Sequence, residues 1–248
     1  MHDPQVLSHL AVRRALGVLG LALPAMLYAY ARVFGYGMQP SISEFYHTHM
    51  GDLLVGCLVA IGVFLISYLG YPKQPGERLS DRWVARAAGL GALGVALFSV
   101  VPPDLAACPP GTSFEVIGDA ARTVTCPIQG LVTQWAHYSW LHFASAALFF
   151  LALAVFCFFL FPRGDCAPDG KIDWSAPKNR IYAICGTALL LAIAFLGLYA
   201  LLGPEAKAAL RARNYVFWWE TVGVVAFAVS WLAKGKIVAG VVGLMPGR

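Results

Sequence analysis

Apolar residues fall into six runs, at about 15–35, 50–71, 84–102, 137–162, 180–202 and 214–233, with polar stretches between them. Each run holds about 20 residues, and a helix of that length, rising 1.5 Å per residue, crosses a hydrocarbon core of about 30 Å. Tyr71-Pro72, Pro102-Pro103, Phe161-Pro162 and Gly203-Pro204 end four of the runs, because proline lacks a backbone donor and disfavours helix before it. Pro24 falls inside the first run, where it predicts a kink. The pattern predicts an all-α integral membrane protein: one domain over residues 1–248, a bundle of six transmembrane helices with a long loop at about 103–136. Neither a soluble module nor an internal repeat is visible.

Composition agrees with that solvent. Hydrophobic residues make up 59% of the chain and charged residues 12%, against about a quarter charged in soluble domains. The net charge of +5 does not point to nucleic acid, because the Lys and Arg positions follow the runs. Thirteen of them, including Arg13, Arg14, Arg82, Arg86, Arg163, Lys178, Arg180 and Lys234, fall on one side. Five (Arg32, Arg122, Lys207, Arg211 and Arg213) fall on the other. Positive residues stay in the cytoplasm. Both termini are therefore expected inside a bacterial inner membrane, with the 36–49, 103–136 and 203–213 loops outside and the polar 163–179 loop an inner connector. The N-terminal segment reads as a retained first helix.

Cys108 and Cys126 both lie in the long outer loop, where a disulfide between them is expected and two unpaired thiols are the alternative. Cys57, Cys157 and Cys185 sit in apolar runs and Cys166 in an inner loop. No Cys-x-x-Cys motif exists.

Chemistry-bearing side chains gather at the outer boundary: His47, His49, His137 and His142, with Glu44, Asp52, Asp104 and Glu220. An ionisable group inside a span costs several kcal/mol unless paired or hydrated. Asp52, His142 and Glu220 are thus expected to face the bundle interior, with Arg32 at similar depth as a cation. Gln134, Tyr138, His142 and Ser145 recur at helical spacing and form one polar stripe. Three readings stay open. The residues can form a structural network in which Arg32 neutralises a carboxylate. They can bind a lipid or small molecule, with Arg32, Ser43, Glu44, His47, Gln134 and Tyr138 around it. Or His47, His49, His142 and Asp52 can hold a divalent metal such as zinc, which activates water for hydrolysis. Aromatic residues near the boundary read as interfacial anchors. Gly51, Gly56, Gly89, Gly91 and Gly94 read as helix-packing positions.

The segment Ser43-Glu44-Phe45-Tyr46-His47 resembles the Ser-x-x-x-His pattern of the alkaline ceramidase and progestin/adipoQ receptor superfamily of membrane hydrolases. That superfamily also has a His-x-x-x-His pair in its last helix and seven helices, whereas this chain has Trp218-Trp219-Glu220 there and six runs. A broader resemblance covers about residues 41–235. Ser43 to His47 leading into Gly51-Asp52-Leu53-Leu54-Val55-Gly56, Leu141-His142-Phe143, Asn179-Arg180-Ile181-Tyr182 and Phe217-Trp218-Trp219-Glu220 look like a bacterial family of six-span proteins of unknown function, the DUF998 type. It implies the six-span scaffold and no reaction.

The functional expectation is an outward-facing membrane enzyme, a hydrolase of a lipid or lipid-linked molecule, with Asp52, His142 and Glu220 catalytic. The alternatives are a non-catalytic protein that binds lipid or supports a complex, and a small-molecule transporter. Membrane lipids are the expected partners, with a second copy or another membrane protein as further candidates.

Overall fold

The computed structural model describes residues 4–35, 37–71, 79–100, 113–116, 122–125, 139–164 and 172–235. Helix α1 spans Pro4–Arg32, α2 Gly51–Ser67 and α3 Asp81–Leu97. Helix α4, Ser139–Val155, continues through a π-helical segment, Phe156–Leu160, and a 3-10 turn, Phe161–Gly164. Helix α5 is Pro177–Leu201, α6 Pro204–Arg211 and α7 Tyr215–Lys234. A 3-10 turn at Ser43–His47 precedes α2.

Four helices are long and apolar enough to cross a membrane: Leu10–Arg32 of α1, Ser139–Arg163, α5 and α7. Helix α2 is a shorter apolar helix of 17 residues, and α3, also 17 residues, begins with Asp81 and Arg82. The outer surface is apolar where water would demand polarity. Ile184, Leu191, Leu198 and Leu201 of α5 and Leu148, Leu151 and Phe159 of α4 are all exposed. A run of such side chains marks a face built for lipid or a partner.

Neighbours in sequence are neighbours in space. Helices α1, α2, α3, α4, α5 and α7 pack in that order, and α7 closes the ring against α1. Close approach at several seams depends on absent side chains. A Cβ on Gly89 would meet the Gly62 carbonyl oxygen at 2.7 Å, joining α2 to α3. One on Gly91 would meet the Phe149 nitrogen and Ser145 oxygen, each at 2.8 Å, joining α3 to α4. Backbone cannot step aside as a flexible side chain can. Gly91→Ala is therefore expected to wedge α3 from α4 and to cost about 1–3 kcal/mol, read as a lower unfolding temperature in detergent. Gly56 has nothing within 4 Å, so it is not the packing position the sequence suggested. Gly56→Ala should be neutral or slightly stabilising through helix propensity.

One end of the bundle is filled by aromatic rings. Tyr68, Phe156, Phe161, Tyr182 and Trp231 are all nearly inaccessible, and Phe156, Phe161 and Tyr68 each lie within 5.3 Å of the Trp231 ring. Basic residues hem this end. Arg13 donates to the Tyr68 hydroxyl at 2.7 Å, Arg163 pairs with Asp81 at 3.5 Å, and Lys234 donates to the Phe161 carbonyl at 2.6 Å. The opposite end keeps a cavity.

Two elements depart from the expected pattern. The 203–213 stretch, expected as a loop, forms α6, because Pro-Glu-Ala-Lys-Ala-Ala-Leu-Arg combines proline at a helix start with strong helix formers. The expected all-α class also gains a pair of antiparallel strands within the 103–136 stretch, Ser113–Val116 with Arg122–Thr125. Two four-residue strands with β-branched residues are too short to stand out beside six long apolar runs.

Candidate functional site

The site begins at the 3-10 turn. Ser41 and Glu44 stand three residues apart as in a helix-capping pair, and the Glu44 amide donates to the Ser41 hydroxyl at 3.1 Å. Phe45, fully buried, anchors the turn against Phe217 of α7, with ring centroids 6.1 Å apart. The Phe217 amide donates to the Pro40 carbonyl at 2.9 Å. From α7, Glu220 accepts the Ile42 amide at 2.6 Å through Oε2. A carboxylate from a distant helix thus satisfies the Ile42 amide, while Ser41 satisfies that of Glu44.

That arrangement aims Ser43 at α4. Its Oγ lies 2.9 Å from Nε2 of His142 and 3.4 Å from Oε1 of Glu220. On the far side of the ring, Nδ1 lies 2.6 Å from the Phe98 carbonyl oxygen. A carbonyl can only accept, so Nδ1 carries the proton. In the neutral ring Nε2 is then a bare acceptor, facing the Ser43 hydroxyl. His142 is 4% exposed, and its orientation is fixed on both edges.

Ser43, His142 and Glu220 line one cavity of about 540 Å³, within the range of small-molecule and lipid sites. Its other walls are mainly aliphatic and aromatic: Leu54 and Leu58 from α2, Val95 from α3, Phe149 and Phe150 from α4, Leu196 from α5. Phe143 also lines it and is 61% exposed. The cavity therefore reaches the outer face of the bundle beside α4.

Beside the turn, Arg211 of α6 grips Glu44 with both arms, at 2.7 and 2.6 Å. The ion pair was not visible in the sequence, where Arg211 read only as an outer positive charge. Its signal was the amphipathic character of 204–211 together with a Glu in the facing loop.

Several expected site residues fall elsewhere. Arg32 and Asp52 are exposed and neither lines the cavity. Asp52 occupies the first turn of α2, where the helix dipole and water satisfy a carboxylate without burial. The pocket shared by Arg32, Asp52, His142 and Glu220 is thus corrected to Ser43, His142 and Glu220. His49 is exposed, and His47 lies 2.9 Å from the Val100 carbonyl. The Ser-x-x-x-His partners consequently do not meet; Ser43 takes its histidine from α4. Among the described residues no three His, Cys, Asp or Glu side chains are grouped to hold a metal ion, so the zinc set of His47, His49, His142 and Asp52 is not assembled. Cys57, Cys157 and Cys185 are free thiols. Gln134, Tyr138 and the expected Cys108–Cys126 disulfide lie outside the described residues.

His47 makes stability depend on pH. Burial pushes its imidazole below the ordinary 6.5, outweighing the Val100 carbonyl and Glu44, which act the other way. The unfolded chain therefore binds a proton that the folded chain resists. Stability is at its plateau above pH 6.5 and is lost as the pH falls through the lower folded value. Acidification from about pH 7.5 to 5.5 should lower the unfolding temperature more for the native chain than for His47→Gln, and equal drops would remove His47 from the account.

Comparison of the chain with protein-family models, with curated proteins and with solved structures finds no match.

Proposed function

We propose that the chain is a membrane-embedded serine hydrolase of lipid esters. It would cross the bacterial cytoplasmic membrane six times, with both termini inside and the Ser43 turn at the outer face. The six-span family resembled by its sequence segments belongs to the same proposal. The observation that carries the reaction is the Ser43–His142 contact, a hydroxyl 2.9 Å from a ring nitrogen whose ring is oriented by a second hydrogen bond. Nucleophile, base and orienting group follow the logic of an activated serine, with the Phe98 carbonyl where an acid would stand.

In the reaction, Ser43 Oγ attacks the ester carbonyl carbon while His142 Nε2 takes its proton. The tetrahedral intermediate collapses as that proton passes to the departing alkoxide, leaving an acyl group on Ser43. Water, deprotonated by the same nitrogen, then releases the acid and restores the serine. Glu220 acts as a positioning residue: its hold on the Ile42 amide keeps the turn, and with it Oγ, in register with His142. The aliphatic walls suit the acyl chain, and an opening beside exposed Phe143 suits entry from the bilayer.

A fluorophosphonate probe with a long alkyl chain tests the reading on the full chain in detergent. Covalent labelling at Ser43, seen by mass spectrometry and abolished by Ser43→Ala, is the expected result, together with release of nitrophenol from 4-nitrophenyl palmitate. An unlabelled Ser43 and intact ester would sink the enzyme and favour the apolar cavity as a non-catalytic lipid site.

A further inference from the structure

Among the described residues that line the cavity, Lys207 is the one cation. It is half-buried on α6, and the described residues offer its ammonium no hydrogen bond or ion pair. The nearby charges are already engaged. Arg211, one helical turn further on, is held by Glu44, and Glu220 caps the Ser43 turn. Lys207 contributes to the wall of the same cavity that holds Ser43 and His142, so an anion bound at that wall would meet a cation that no other described residue neutralises.

We infer that Lys207 is a specificity-determining residue which binds the anionic headgroup of the lipid, a phosphate, while the acyl chain lies along Leu54, Leu58, Val95 and Phe149. The inference rests on the hydrolase reading for the fate of the ester and on the cavity alone for the binding of the anion. One wall is a cation at the level of the α6 boundary helix, and the remainder is mostly apolar. An amphiphile with a negative head matches both parts. A neutral monoacylglycerol would leave the ammonium unpaired, and free phosphate would leave the apolar walls empty.

Two measurements on the full chain in neutral detergent test this. In the first, hydrolysis of palmitoyl lysophosphatidate is compared with that of monopalmitoylglycerol, which differ by the phosphate alone. The native chain is expected to favour the phosphate-bearing ester about tenfold or more in kcat/KM, mostly through KM. Lys207→Met should bring that ratio close to one, and Lys207→Arg should restore most of it. In the second, dodecyl phosphate should raise the unfolding temperature of the native chain and of Ser43→Ala, but not of Lys207→Met, while dodecanol raises all three equally. A ratio unchanged in Lys207→Met, or a dodecyl phosphate shift that survives it, overturns the inference even if hydrolysis is robust. No hydrolysis with a Lys207-dependent dodecyl phosphate shift overturns the hydrolase and leaves the anion subsite standing. Inorganic phosphate producing the same shift at the same concentration overturns a lipid as the source of the anion.

Discussion

Ser43→Ala is expected to lower kcat for 4-nitrophenyl palmitate by about 1,000-fold or more while leaving the fold and lipid binding in place. The reason is chemical: alanine removes the attacking oxygen and changes little else, since Ser43 is only partly buried. His142→Ala should cost a similar factor, and the double variant little beyond either single one, because nucleophile and base act as a unit. The two differ in stability. His142 is buried and bonded on both edges, so its loss removes two buried hydrogen bonds at once and costs roughly 1–3 kcal/mol in addition to activity. Asp52→Ala, on an exposed carboxylate away from the cavity, should change neither quantity. Undiminished turnover in Ser43→Ala would remove the serine mechanism outright, and a large loss in Asp52→Ala would return that carboxylate to the site.

The second large effect concerns the Arg211–Glu44 pair, and it should be asymmetric. The Glu44 side chain is 6% exposed and that of Arg211 29%. Arg211→Ala leaves a buried carboxylate without its counter-ion, which costs about 2–4 kcal/mol at a partly open site. Glu44→Ala leaves a guanidinium that can swing into water, so its cost is smaller. Replacing both, as Glu44→Gln with Arg211→Gln, should recover much of what Arg211→Ala loses, because no unpaired charge remains. Thermal unfolding of the four proteins in detergent gives the comparison. Equal losses from the two single alanine variants, or no recovery in the double variant, would mean that the pair contributes packing and not charge neutralisation. Arg211→Ala should also slow hydrolysis, since Glu44 adjoins Ser43 in the same short turn.

Much of the architecture was legible in the chain because membrane helices declare themselves by length and composition alone. The four long apolar helices fall within a few residues of their expected ends, except that α1 begins at Pro4, well before the predicted residue 15. The helical ladder continues into polar sequence because backbone hydrogen bonds do not require apolar side chains. The cost of burying charge also selected His142 and Glu220 correctly. It misjudged Asp52 and Arg32, because depth along a span is readable from sequence whereas direction around the helix is not. Both reach solvent at helix ends, where no penalty applies.

The sequence by itself determined that the chain forms helices long and apolar enough to cross a membrane, and that most of its histidines and several carboxylates, His142 and Glu220 among them, gather toward one end. Those properties are sums over local residues, and no partner is needed to evaluate them. Only the tertiary structure decided that Ser43 meets His142, 99 residues away, that Glu220 caps a turn 178 residues earlier, and that Arg211 neutralises Glu44 across 167. Each contact depends on how the helices close their ring and on which face each presents, and a rotation of one helix by a single residue would break it.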